Sequence, residues 1–276
     1  MFIEILKFFI YSILIVIISK YVLVKLLRNF AFSLNLSART VGSIAGVATS
    51  MPELLTVSFS AVAGLLSTSV FNIISSNIIN LCQYILAVFL NKNQKQIKNR
   101  GLKIELFIVV LTILIPIFML IFDIDFKIQI VPIFILLFIF FYYINSNLHK
   151  LYFKTKEDKT KSNERKIKSN SKIFIVLKYT IYLLITSILL YWIGNKLSDV
   201  LEELARIFYI SEIILGIVLG FITSLPELIT FFESQKHHKE EKEEGIVEAT
   251  NNLLSSNMLN LFIIQSIGIV ISRFVL

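Results

Sequence analysis

The chain has 276 residues, 56% of them hydrophobic and 17% charged, with 24 Phe and a formal net charge of +8. The charges cluster between apolar runs of about 20 residues, each long enough to cross a bilayer, which excludes a soluble domain and makes this an all-α polytopic membrane protein. The basic excess lies in short connectors without an aromatic-rich soluble module, which excludes nucleic acid as a partner, and the single Cys82 excludes an intramolecular disulfide.

Apolar periodicity predicts eight helices at roughly 2–28, 39–63, 67–90, 102–122, 127–148, 173–195, 208–234 and 246–273. The first is read as a membrane helix, because no small-x-small cleavage site follows it. Only Gly64 to Ser67 joins the second to the third, which therefore form a tight antiparallel hairpin. Twenty of the 27 basic residues fall in four alternate connectors, and this places those connectors in the cytoplasm with both termini outside, in a multi-pass cell-membrane protein. Residues 149–172 are polar, mixed in charge and aperiodic. They read as a cytoplasmic linker between a first membrane half, 1–148, and a second, 173–276.

The halves contain a repeat. Gly42 to Thr56 aligns without gaps on Gly216 to Thr230, with 8 of 15 positions identical, and Phe71 to Leu81 aligns on Asn251 to Leu261 with 6 of 11 identical. The offset grows by six residues between the blocks, at the charged stretch Gln235 to Gly245. The first copy, 39–90, begins in the cytoplasm and the second, 208–273, begins outside. Repeats of opposite orientation are the architecture of secondary transporters that bind substrate near the midplane.

Each copy carries a Pro-Glu pair inside an apolar run, Pro52-Glu53 and Pro226-Glu227. An unpaired carboxylate at such depth costs about 2.5 kcal/mol or more, so both are functional candidates. Helical spacing puts Gly46, Thr49 and Glu53 on one face, and likewise Gly220, Thr223 and Glu227. The prolines free the carbonyls of Ala48 and Ile222, which suits a cavity lining or a cation. Partner helices add Asn72, Ser76 and Asn80 at spacing four, with counterparts Asn252, Ser256 and Asn260. A site made only of carboxylate, amide, hydroxyl and carbonyl oxygens suits hard cations such as Ca²⁺ and Na⁺. Two carboxylates some 8 Å apart repel by about 2 kcal/mol at an effective dielectric near 20, so cations or protons must occupy the site throughout a cycle.

The paired TSxPEL and SSNxxN blocks resemble the two α-repeats of the cation/calcium exchanger superfamily, most closely its sodium/calcium exchanger branch. The resemblance implies a secondary antiporter exchanging Ca²⁺ for Na⁺ by alternating access, with no covalent chemistry, no enzyme activity and no cofactor beyond the transported ions. Glu53 and Glu227 would be the main Ca²⁺ ligands. Thr49, Ser50, Ser76 and the Gly46 carbonyl would form one half of the ion path, and Thr223, Ser224, Ser256 and the Gly220 carbonyl the other. Asn80 and Asn260 would complete the centre, and the first and sixth helices would slide against a core of helices 2, 3, 7 and 8.

Two departures stand out. The branch often carries Asp where this chain has Asn260, leaving a site charge of −2 where −3 is usual. The family usually has ten spans, whereas this chain ends about 16 residues after Asn260, so the expected fold lacks the last two helices and a second copy, a partner or lipid would cover that face. The open alternatives are a Ca²⁺/H⁺ antiporter using the same glutamates, since buried carboxylates can carry protons, and a non-transporting scaffold that keeps the fold. His237 and His238 read as solvated loop, Asp123 and Asp125 as a turn, Glu248 as an N-terminal dipole partner, and Asp199, Glu202, Glu203 and Glu212 as an exposed connector.

Overall fold

The computed structural model describes residues 2–26, 29, 37–152, 169–237 and 242–275. Most of the expected linker, 153–168, and His238 lie outside the described residues. Helix α1 spans Phe2–Ile18 and continues into a π-wound turn, Ser19–Val24. Then come α2 (Ala38–Thr49), α3 (Met51–Val62), α4 (Leu66–Leu90), α5 (Arg100–Ile121) and α6 (Val131–Tyr152). The second half supplies α7 (Ser169–Glu202), α8 (Glu212–Thr223), α9 (Leu225–His237), α10 (Lys242–Met258) and α11 (Gln265–Val275), with a π-wound turn, Leu259–Ile264, between the last two. End to end these make eight rods, because α2–α3, α8–α9 and α10–α11 each form one broken or bulged rod. Among the described residues, five of the rods are long and apolar enough to cross a membrane by length and composition.

Burial is inverted relative to a soluble protein. Phe89, Leu90, Phe107, Phe118, Leu136 and Ile139 face outward, while Glu53, Glu227 and six asparagines of α4, α10 and the π-wound turn after α10 (Asn72, Asn77, Asn80, Asn252, Asn257, Asn260) have no exposed surface. An apolar solvent outside removes any benefit of hiding Leu and Phe, so the interior is where polar groups find partners.

The repeats interlock: α2 packs along α10 of the other half, and α8 along α4. Small residues make this possible. A Cβ on Gly46 would stand 2.6 Å from the Asn252 carbonyl oxygen, and one on Gly220 would stand 2.6 Å from the Asn72 carbonyl oxygen and run into Ser75 Oγ. Gly42 and Gly216 meet Glu248 and Thr68 in the same way one turn earlier. On one flank α1 and α7 pack through Phe8, Ile15, Leu190, Ile193 and Leu197; on the other, α5 and α6 close over Tyr84, Phe134 and Phe262.

Two expectations change. The sixth rod does not stop near 195 but runs on to Glu202, because Leu197, Val200 and Leu201 bury against the α1 and α8 side and extend the apolar face past the polar residues between them. Asp199 and Glu202 are accordingly helical and exposed, as the connector reading had them in exposure alone. Glu248, expected as an N-terminal dipole partner, lies past the first turn of α10, where it is buried and accepts a hydrogen bond from Ser234 Oγ at 2.8 Å. Arg39 reaches inward, donating to the Asn145 carbonyl at 3.0 Å and to Asn251 Oδ1 at 3.4 Å, and so ties α2 to α6 and α10.

The interlock predicts that Gly220→Ala lowers stability by about 1–3 kcal/mol through overpacking, read as a fall in melting temperature in detergent. Val47→Ala, on the outward face of α2, should change it by no more than about 0.5 kcal/mol.

Candidate ion-binding site

Pro52 and Pro226 occupy the second position of α3 and α9, where a missing N–H costs nothing. The same prolines prevent α2 and α8 from continuing unbroken. The expected single face from Gly46 to Glu53 is therefore divided at Ser50, and that from Gly220 to Glu227 at Ser224. Each joint retains helical bonds on both sides, Ser50 N to the Gly46 carbonyl at 3.1 Å and Leu54 N to the Ser50 carbonyl at 3.0 Å in one, Ser224 N to the Gly220 carbonyl at 3.2 Å and Leu228 N to the Ser224 carbonyl at 3.5 Å in the other. Glu53 and Glu227 consequently fall in the first turn of a half-helix, where unpaired N–H groups favour negative charge. The carbonyl ends of α2 and α8 face the same joints, an arrangement found where broken membrane helices bind ions.

Around these joints the side chains form two matching networks. Ser76 Oγ donates to Glu53 Oε1 at 2.7 Å and pairs with Ser224 Oγ at 2.8 Å. Ser256 Oγ donates to Glu227 Oε1 at 3.1 Å and pairs with Ser50 Oγ at 2.9 Å. Each carboxylate is thus held by a hydroxyl from its own half, which in turn touches a hydroxyl from the other half. Thr223 stands beside Glu53 and Thr49 beside Glu227, and the two carboxyls lie within electrostatic reach of each other. Thr49 Oγ1 also donates to Asn252 Oδ1 at 3.4 Å and to the Gly46 carbonyl at 3.3 Å, and Thr223 Oγ1 makes the equivalent contacts with Asn72 and Gly220 at 3.5 Å.

Asn80 and Asn260 come to the same place. Asn80 Nδ2 donates to Ser256 Oγ at 3.4 Å and to Asn257 Oδ1 at 3.2 Å, while Asn260 Nδ2 donates to Asn77 Oδ1 at 3.2 Å. With their nitrogens so engaged, the amide oxygens are turned away from every donor. Glu53 Oε2, Glu227 Oε2, Asn80 Oδ1 and Asn260 Oδ1 are all buried without a hydrogen-bond partner. Buried acceptors are normally satisfied, and four orphans on two related pairs of residues describe a donor set for a hard cation. Among the described residues no group of three or more His, Cys, Asp and Glu exists elsewhere as a competing centre.

Two residues of the network were not singled out by sequence. Asn77 and Asn257 clasp across the repeat interface, each donating its Nδ2 to the other's backbone carbonyl, at 3.2 and 3.1 Å. Their Oδ1 atoms take the amides of Asn260 and Asn80, which fixes how those side chains point. The signal was present, since SSN is identical in both copies, but helical spacing places Asn77 beside the Ser76 face and not on it. Thr56 and Thr230 play a similar part by accepting from Asn72 and Asn252 at 2.6 and 2.7 Å. Asn260 lies in the π-wound turn Leu259–Ile264, whereas Asn80 lies in regular α-helix.

Two interlocked helical halves around a buried, all-oxygen carboxylate pair define a membrane transporter of the inverted-repeat class. Residues 5–147 and 178–276 match the family described as sodium/calcium exchanger protein, and the chain belongs to that family, whose business is cation/calcium exchange across membranes. It is similar in fold to a solved structure of the sodium-calcium exchanger NCX_Mj soaked with Na⁺ and Sr²⁺, with a TM-score of 0.53 and 20% identity, covering 98% of this chain and 83% of that one. No curated protein matches the chain.

The clasp predicts that Asn77→Ala destabilises the protein by about 1–3 kcal/mol, because the Asn257 side chain and the Asn260 amide lose buried partners. Asn77→Ala and Asn257→Ala combined should cost less than the sum of the two, since both remove the same interaction; thermal unfolding of the three variants checks it.

Proposed function

We propose that the chain is a secondary antiporter that exchanges Ca²⁺ for Na⁺ by alternating access, with the four orphaned oxygens as its central ligands. The observation that carries this reading is the orphan set itself, two carboxylate and two amide oxygens that are buried with no hydrogen-bond partner to meet them. Ca²⁺ takes six to eight oxygens and Na⁺ accepts the same kind of ligand. Glu53 Oε1, Glu227 Oε1, the hydroxyls of Thr49, Ser50, Ser76, Thr223, Ser224 and Ser256, and the carbonyls of Gly46 and Gly220 are at hand for the remaining positions. The mobile part would be α1 with α7, which meet each other and the core mainly through aliphatic side chains, so that sliding exchanges one van der Waals contact for another. Positive residues in alternate connectors support a cytoplasmic location for the 149–172 linker and an outside location for both termini.

The charge of the site bears on coupling. Glu53 and Glu227 are its only acids, because Asn80 and Asn260 are neutral amides. One Ca²⁺ or two Na⁺ brings that charge to zero, and a neutral loaded site crosses a low-dielectric barrier far more readily than a charged one. Exchange of one Ca²⁺ for two Na⁺ follows, and it moves no net charge. A second reading, in which two protons replace the two Na⁺, is favoured by the position of both Oε2 atoms, either of which could carry a proton without displacing a hydrogen bond.

In proteoliposomes, an outward Na⁺ gradient should drive Ca²⁺ uptake, and a proton gradient alone should not; the reverse outcome would select the proton reading. Glu227→Gln should reduce uptake by roughly a hundredfold, as expected for loss of a charged ligand worth about 3 kcal/mol. Unchanged flux in Glu53→Gln and Glu227→Gln would leave a scaffold in place of a transporter. Uptake should be indifferent to an imposed K⁺ diffusion potential, whereas a reversal potential corresponding to three Na⁺ per Ca²⁺ would refute the two-for-one coupling.

A further inference from the structure

Between α4 and α5 lies a crevice of about 410 Å³ lined by Leu81, Tyr84, Val88, Ile97, Leu106 and Val110 among others. Its lining is apolar apart from Gln94 and the Tyr84 hydroxyl, and that hydroxyl is already paired with Thr250 at 2.8 Å. The connector from Asn91 to Asn99 roofs it, with Gln94 and Ile97 contributing to the wall. The roof is anchored: Lys92 adopts a left-handed backbone at φ 56 that closes the end of α4, Asn93 N bonds the Val88 carbonyl at 3.0 Å, and Asn93 Nδ2 donates to Gln235 at 3.1 Å.

Charge is distributed unevenly around this crevice. Lys92, Lys95, Lys98, Arg100 and Lys103 are all exposed on the connector that supplies Gln94 and Ile97 to the wall and on the first turn of α5, and no acid occurs between Asn91 and Ile104. Other exposed cations stand beside acids, Lys127 by Asp125, Lys196 by Asp199 at 3.4 Å and Arg206 by Glu202 at 3.3 Å, whereas Lys25, Lys178 and Arg273 stand singly and not as a cluster. Among the described residues the five connector cations enter no ion pair. An apolar slot in the membrane region beneath a connector of uncompensated positive charge matches one kind of molecule, with an acyl chain below and an anionic phosphate above.

We propose that this crevice is a binding site for an anionic glycerophospholipid, one acyl chain lying between α4 and α5 and the phosphate held by the connector cations. The occupant would contact α4 at Leu81 and Tyr84, just beyond Asn80, and so would brace the helix that carries half of the central site. The site is independent of which ion is transported, and its failure would leave the exchange reading untouched.

The test uses the purified full chain in detergent, with phosphatidylglycerol and phosphatidylcholine of matched chains, read by native mass spectrometry. One phosphatidylglycerol per chain should be retained at least tenfold over phosphatidylcholine (about 1.4 kcal/mol by the standard conversion). The triple variant Lys95→Gln, Lys98→Gln, Arg100→Gln should lose that preference. Val110→Trp, which fills the slot from a partly lipid-facing position and keeps every cation, should lose the retained lipid. Melting temperatures confirm that the variants are folded. Equal retention of the two lipids, or an unchanged preference in the triple variant, would show that the lysines serve topology alone; full retention in Val110→Trp would show a loose surface contact with no chain in the crevice.

Discussion

Two carboxylates buried together in an apolar slab place more demands on this protein than any other feature. Neither has a basic partner at hand, and each is supported only by a serine, a nearby threonine and the N-terminal end of a half-helix. Keeping two such groups in place requires donors that reach them without pairing them off, and most of the architecture answers that requirement. The prolines break the rods so that helix ends, not helix sides, face the acids. The glycines let α2 and α8 approach the opposite half closely enough for Ser50 and Ser224 to touch Ser256 and Ser76. The paired asparagines lock the halves at the level of the site.

The same demand explains why the family relationship and the chemistry agree. Cation/calcium exchange needs a site that is unfavourable when empty, and a structure that can open to either side without dismantling that site. Interlocking each half-helix with the long helix of the other half makes the centre a shared object of both repeats. The flanking pair α1 and α7 is attached chiefly by apolar packing, with Ser198 Oγ donating to the Phe59 carbonyl of α3 at 3.0 Å. Polar core and apolar flank are thus separated in the chain as well as in space.

Much of this was legible in the sequence because each feature is local and occurs twice. Apolar runs gave the eight rods, and gapless matching of Gly42–Thr56 to Gly216–Thr230 located the repeat. Glu53 and Glu227 were conspicuous because a carboxylate seldom occupies such a run. What could not be read was which amide atom meets which partner: Asn77 and Asn80 are both polar residues of α4, and only the opposite helix decides that one clasps and the other offers a free oxygen. The length of α7 was hidden for a related reason, since Leu197, Val200 and Leu201 alternate with charged residues and their burial depends on neighbours from α1 and α8. The π-wound turn at Leu259–Ile264 has no counterpart in the first copy, and nothing in the matched residues announces it.

The two serine pairs carry a consequence of their own. Every hydroxyl in Ser50, Ser76, Ser224 and Ser256 is a rotor whose hydrogen can point at an oxygen and whose lone pairs can point back. In each pair either atom can be the donor, so a change of charge at the centre can be answered by turning a few O–H bonds, on a scale far smaller than any helix movement. The core can therefore behave as a small, fixed patch of polarisable medium, a substitute for the water that an ion leaves behind.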